Sequence, residues 1–85
     1  MNPRRLLERI ERGDLQNVSF TDTRRLVEAL GFELRRTSGS HHIFIHPEVP
    51  ELVNLQEVRG EAKPYQLRQL LRLIECYGLT LEDEA

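Results

Sequence analysis

The 85-residue chain has no tryptophan, a single cysteine, Cys76, and no long apolar run. One thiol allows neither an intramolecular disulfide nor a Cys-containing zinc pair, which fits a reducing compartment. The first residues, "MNPRRLLERIERGDL", set arginines on both sides of a very short apolar stretch. They therefore lack the continuous apolar region of a secretory signal, and no segment approaches the roughly 18 apolar residues of a membrane span. The expectation is a cytoplasmic protein with no membrane partner. A basic excess is missing too, since 12 Lys and Arg stand against 14 Asp and Glu. Glu82, Asp83 and Glu84 are part of that acidic count and sit in the tail, leaving the body near neutral. Any contact with nucleic acid must then come from a local basic patch.

What is present suffices for one small domain. Apolar residues make up 39% of the chain and charged residues 31%, an ordinary balance for a soluble globular protein. Asn2 can cap a helix with Pro3 at its first position; Leu6, Leu7 and Ile10 form its apolar stripe and Gly13 follows, which predicts a helix over residues 3–12. "DLQNVSF" reads as a polar connector. Thr21 or Asp22 then caps a second helix with Leu26, Val27 and Leu30 inward, and Gly31 stops it.

From Phe32 the period changes to two. Phe32 and Leu34 point one way and Glu33, Arg35 and Thr37 the other, the alternation of a half-buried strand. "TSGS" turns the chain into "HHIFIH", a second strand that pairs with the first as a hairpin and ends at Pro47. "PEVPE" reads as a loop, "LVNLQ" as a third strand and "EVRGEAK" as a charged connector bending at Gly60. Pro64 opens the last helix, with Leu67, Leu70, Leu71 and Ile74 as its stripe, Cys76 as a small buried side chain and Gly78 as its stop. Amphipathic helices should cover one face of this antiparallel sheet, giving a small two-layer α+β sandwich with the other face in water.

The run "SGSHHIFIHP" places three histidines on the central hairpin. On a strand His41, Ile43 and Ile45 share one side and His42, Phe44 and His46 the other. The bulk of Phe44 assigns its side to the helices, leaving His41 on the open face beside the turn. His42 and His46 would lie about 13 Å apart, too far to share an ion, and His41 and His42 point oppositely. No Cys or carboxylate lies within the run, so its spacing argues against a metal site. His46 before Pro47 reads as a strand-ending residue bonded to nearby backbone, and any one histidine alone is most simply a turn-capping or half-exposed side chain. Three together beside a flexible turn favour proton transfer more, since imidazole titrates near neutrality.

"LVEALGFELRRTSGSHHIFIHP", followed by a short strand and "KPYQLRQLLRLIECYGL", resembles the HicA toxins of bacterial and archaeal toxin-antitoxin systems. The most specific part is Gly39-Ser40-His41, placed after a helix ending in Gly31-Phe32 and before an aromatic strand with His46-Pro47. The resemblance covers about residues 22–79; residues 1–21 form an N-terminal helical extension and 80–85 an acidic tail. It implies a double-stranded-RNA-binding-domain-like α-β-β-β-α fold, preceded here by the extra helix. It also implies metal-independent cleavage of mRNA without a cofactor, and inhibition by a HicB-like antitoxin that covers the active surface and through which any oligomer would form.

The family's catalytic histidine maps to His41, with His42 the neighbouring alternative. Candidates to hold the RNA phosphate are Arg35, Arg36, the Gly39 amide, Ser40 and Lys63, the last just before a helix N-terminus. Arg35 and Arg36 also have a plainer reading as a solvated strand edge, and Tyr65 and Gln66 as packing and capping residues. After the third strand the chain departs from its more basic relatives, because Glu57 and Glu61 accompany Arg59 and Lys63. That departure implies a weaker toxin or one with a narrow substrate. The competing expectation is a non-catalytic RNA-binding or protein-interaction module of the same fold.

Overall fold

Asn2 starts the first helix: its Oδ1 accepts the Arg5 N–H at 2.8 Å and Pro3 takes the first helical position. In the computed structural model, which describes residues 1–81, α1 runs Pro3–Glu11 and buries Leu6 and Ile10 completely. Arg9 closes the following loop, its guanidinium donating to Asp14 at 3.1 Å and to the Gln16 carbonyl at 2.9 Å. That loop is less polar than its sequence suggests, because Leu15, Val18 and Phe20 are all core residues.

α2, Phe20–Ala29, begins ahead of the expected caps Thr21 and Asp22. The cap is Ser19, whose Oγ accepts the Asp22 N–H at 3.0 Å while the Thr23 hydroxyl donates to the Ser19 carbonyl at 2.9 Å. Ser-x-x-Asp is a capping-box pattern, and starting the helix there puts Phe20, Thr23, Leu26 and Val27 on one buried face.

Three antiparallel strands follow, β1 Glu33–Ser38, β2 His41–His46 and β3 Val49–Gln56, in the spatial order β1-β2-β3. β3 starts earlier than expected. Val49 pairs with His46 across the two-residue turn Pro47–Glu48, so most of "PEVPE" belongs to the strand. Pro50 is tolerated because β3 is an edge strand, and the ladder is irregular there between Phe44 and His46. β1 departs from the half-buried expectation: all six residues are exposed, and Leu34 keeps 47% of its surface in water. Leu34 pairs with Phe44 and Arg36 with Ile43, so Arg35 is the extra residue of a bulge that breaks the alternation.

α3, Pro64–Tyr77, buries Leu67, Leu70, Leu73 and Ile74 and ends at left-handed Gly78. Leu71 packs only partly against the core. Cys76 is exposed rather than buried, since two residues past Ile74 is about 200° round a helix of 3.6 residues per turn. The helices lie on one face of the sheet, where Phe44, Val53 and Leu55 are buried, and the other face is open. The order is α-β-β-β-α with an additional N-terminal helix, the α+β arrangement expected. The expected acidic tail lies outside the described residues from 82 onward, while Leu81 is buried against the core. No helix among the described residues is long and apolar enough to cross a membrane.

Candidate functional site

The hairpin joining β1 and β2 is as short as a hairpin can readily be. Ser38 pairs with His41, leaving Gly39 and Ser40 as its two central residues. Gly39 has φ +60° and Ser40 has no positive φ, the pattern of a type II′ turn whose first central position favours glycine. A Cβ on Gly39 would meet nothing within 4 Å, so glycine serves the backbone conformation there and not a close approach. The Ser40 carbonyl accepts the Glu57 N–H at 3.0 Å, which extends the β2–β3 pairing past the end of β3 and steadies the turn.

Three histidines leave this hairpin in three different environments. His41 is exposed at the start of β2, and its Nδ1 lies 3.2 Å from the Asn54 Oδ1 on β3. His42 is half-buried beneath the sheet, its ring 4.6 Å from Phe20, with its Nδ1 donating to the Ser40 carbonyl at 3.2 Å. His46 stands edge-on to Phe32 at 5.0 Å, and its Nδ1 accepts the Glu48 N–H at 3.0 Å, bonding the backbone at the strand end as expected. Phe44 is fully buried, which sets the phase of β2 as expected: His42 and His46 face the helices and His41 the open side. Among the described residues no three His, Cys, Asp or Glu side chains are grouped to hold a metal ion.

The register assembles the rest of the open face. Directly paired residues share a face, so Ser38 and Gln56 flank His41 while Arg36 and Asn54 flank Ile43. Arg35 sits beside Arg36 at the bulge, and both are exposed. Lys63 is the N-cap residue of α3 and is exposed. Gln66, in the first turn of that helix, ties it to β3. Gln66 is 5% exposed; its Oε1 accepts the Gln56 N–H at 3.3 Å and its Nε2 donates to the Asn54 carbonyl at 3.4 Å. Among the described residues Arg35, Arg36 and Lys63 enter no ion pair.

Acidic groups with altered titration lie elsewhere. Glu51, on β3 near its irregular end, accepts from Arg72 at 3.0 Å and from the Tyr77 hydroxyl at 3.1 Å. The hydrogen bond from Arg72, then that from Tyr77, holds the Glu51 carboxyl below its ordinary value, and the same bond to Glu51 pushes the Tyr77 hydroxyl up. This cluster fastens β3 to the end of α3 and is separate from His41.

Sequence reasoning placed His41, Arg36, Gly39 and Ser40 together, set His42 beside them although its ring faces the other way, and overlooked Asn54. A signal was available, since Val53 and Leu55 alternate around Asn54 and asparagine is depleted in strands.

Comparison with curated proteins and with solved structures returned no match. A family model, the HicA toxin of bacterial toxin-antitoxin systems, matches residues 20–75. The match begins on the first residue of α2 and ends in the last turns of α3, so it takes in the whole sheet, the Gly39-Ser40-His41 turn and the residues that face it. Its span is well over half of the chain, and the order of elements within it is the one that the hairpin motif led us to expect. The chain therefore belongs to the HicA toxin family, the toxin half of a bacterial toxin-antitoxin pair, with an antitoxin as its partner.

Proposed function

We propose that the protein is an mRNA endoribonuclease in which His41 is the general base, and that a HicB-like antitoxin silences it by covering the open face of the sheet. The observation that carries this reading is the position of His41. It is exposed on the open face, its ring is held through Nδ1, and Nε2 is left for a substrate proton. His42 is the weaker choice because its ring packs against Phe20 on the helix side.

The reaction can be written with the chain's own groups. His41 Nε2 takes the proton of an RNA 2′-hydroxyl, the 2′-oxygen attacks the adjacent phosphorus, and the bond to the 5′-oxygen breaks as that oxygen takes a proton from water. The products are a 2′,3′-cyclic phosphate and a 5′-hydroxyl, and DNA, lacking the 2′-hydroxyl, is not a substrate. A general base typically supplies about 10² to 10⁴-fold. Stabilisation of the pentacoordinate phosphorane adds to this, and Arg35, Arg36, the Gly39 amide, the Ser40 hydroxyl and Lys63 are the groups assigned to it. That the three cations enter no ion pair among the described residues supports that assignment, in a chain whose near-neutral body offers little diffuse attraction for RNA.

The test is cleavage of a long single-stranded RNA in EDTA by the wild type, His41→Ala and His42→Ala, after circular dichroism shows that all three fold. The expected result is a wild type that leaves 2′,3′-cyclic phosphate ends, a His42→Ala variant that still cuts and a His41→Ala variant that does not. A folded wild type that leaves RNA intact beside an active HicA control would point to a non-catalytic binding module. The open face would suit such a module, with half-buried Ile43 and Ile45 and a Leu52 that is 61% exposed.

A further inference from the structure

Asparagine is a poor strand former, yet Asn54 sits near the middle of β3 between buried Val53 and Leu55. Packing does not account for it, because its side chain lies on the open face, where β3 buries nothing under a helix. The register brings it to one particular neighbour. Asn54 is paired with Ile43 and His41 with Gln56, so Asn54 and His41 are diagonal partners on the same face, and their Oδ1 and Nδ1 are 3.2 Å apart.

An amide oxygen can only accept, so this hydrogen bond exists in neutral His41 only when Nδ1 carries the proton. Which ring nitrogen is protonated is set by the hydrogen bond that the other nitrogen, or the same one, makes to the protein. Bound to Asn54, neutral His41 has its lone pair on Nε2, the nitrogen not engaged by Asn54. Without an acceptor the ring would exchange between tautomers and rotate about its side-chain bonds, and only part of the population would present a basic nitrogen to a substrate.

The acceptor itself is mounted rigidly. Gln66 reaches from α3 to the free edge of β3 and pairs with it as a neighbouring strand would, donating to the Asn54 carbonyl and accepting the Gln56 N–H. On the other side, the Glu57–Ser40 backbone bond fixes the turn from which His41 emerges. The backbone around Asn54 is therefore tied to α3, and the turn that carries His41 is tied to β3.

We infer that Asn54 is a positioning residue, which accepts the Nδ1–H of His41 and so holds the imidazole in the tautomer that leaves Nε2 as the base. The inference rests on the reading of His41 as the base, but the tautomer it predicts can be measured without any substrate.

The test uses protein labelled with ¹⁵N-histidine at alkaline pH, where long-range proton–nitrogen correlations distinguish an Nδ1–H from an Nε2–H imidazole, together with cleavage kinetics. Asn54→Val removes the acceptor and keeps strand preference, and Asn54→Asp keeps an acceptor. We expect Nδ1–H in the wild type and in Asn54→Asp, and a shift toward Nε2–H in Asn54→Val. In parallel, kcat should fall about tenfold in Asn54→Val with KM unchanged, and Asn54→Asp should recover most of it. A wild-type His41 in the Nε2–H form overturns the inference, as does an Asn54→Val variant with unaltered tautomer and kcat while His41→Ala is inactive. Equal cleavage by wild type and His41→Ala instead overturns the reading of His41 as base, and the positioning role falls with it whatever the tautomer.

Discussion

Two residues show how a single backbone angle is used in this chain. Gly39 occupies φ +60° at the tip of the β1–β2 hairpin with open space around it. Gly39→Ala should therefore destabilise by about 1 kcal/mol through backbone conformation alone, as urea unfolding would report. Arg59 is the converse case. With Gly60 it forms the centre of a second tight turn, closed by Val58 and Glu61 through two 3.0 Å backbone bonds, and it holds φ +53° without being glycine or asparagine. Both central residues at positive φ define a type I′ turn, where asparagine followed by glycine is favoured, so Arg59→Asn should stabilise by about 0.5 kcal/mol in the same experiment. Gly39, Ser40 and His41 were legible because glycine and histidine announce a turn and a titratable ring within three residues. Asn54 was not, because its meaning depends on the register across a hairpin, and an irregular ladder removes the simple count that would have supplied it.

The elements were read most accurately where local chemistry decides them. Asn2 and Pro3 start α1 and Gly78 stops α3, and these boundaries came out as expected because each depends on the residues at the spot. β1 and β3 were misread at the points where their ladders are irregular. Pro50 marks "PEVPE" as a loop in sequence, but an edge strand accommodates it, and the bulge at Arg35 undoes an alternation that looked regular. β3 keeps its place through side chains of α3. Gln66→Leu removes both bonds to the strand edge and should cost about 1 to 3 kcal/mol by thermal or urea unfolding. At the other end, Glu51 is lowered from an ordinary value of 4.5, so its contribution to stability is complete above that pH and is lost as the pH falls below it through the depressed folded value. The melting temperature of Glu51→Gln should accordingly fall less steeply than that of the wild type below pH 4.5, and added salt should shrink the difference.

At the scale of the whole molecule, α1 lies outside the family match and inside the core. Leu6 and Ile10 are 0% and 1% exposed, and burying two such side chains is worth about 3 to 6 kcal/mol, a large share of what a domain this small possesses. Removal of residues 1–13 should therefore abolish the cooperative thermal transition, and a role for α1 in meeting the antitoxin has to be sought with substitutions on its exposed Arg and Glu face. RNA affinity should likewise reflect a few discrete cations. If Arg35, Arg36 and Lys63 each meet a phosphate, the logarithm of the association constant should fall with the logarithm of salt concentration with a slope of about −2, and each alanine substitution should flatten it by about 0.7. The short turns carry a kinetic consequence as well. Both connections within the sheet are two residues long, so every strand pairs with its neighbour in sequence and no strand waits for a distant segment to arrive. Such local pairing favours fast folding, and stopped-flow refolding should show a single phase of milliseconds to tens of milliseconds. On that expectation the toxin would be folded almost as soon as it is released, and the cell's protection would rest on antitoxin already waiting rather than on antitoxin made afterwards.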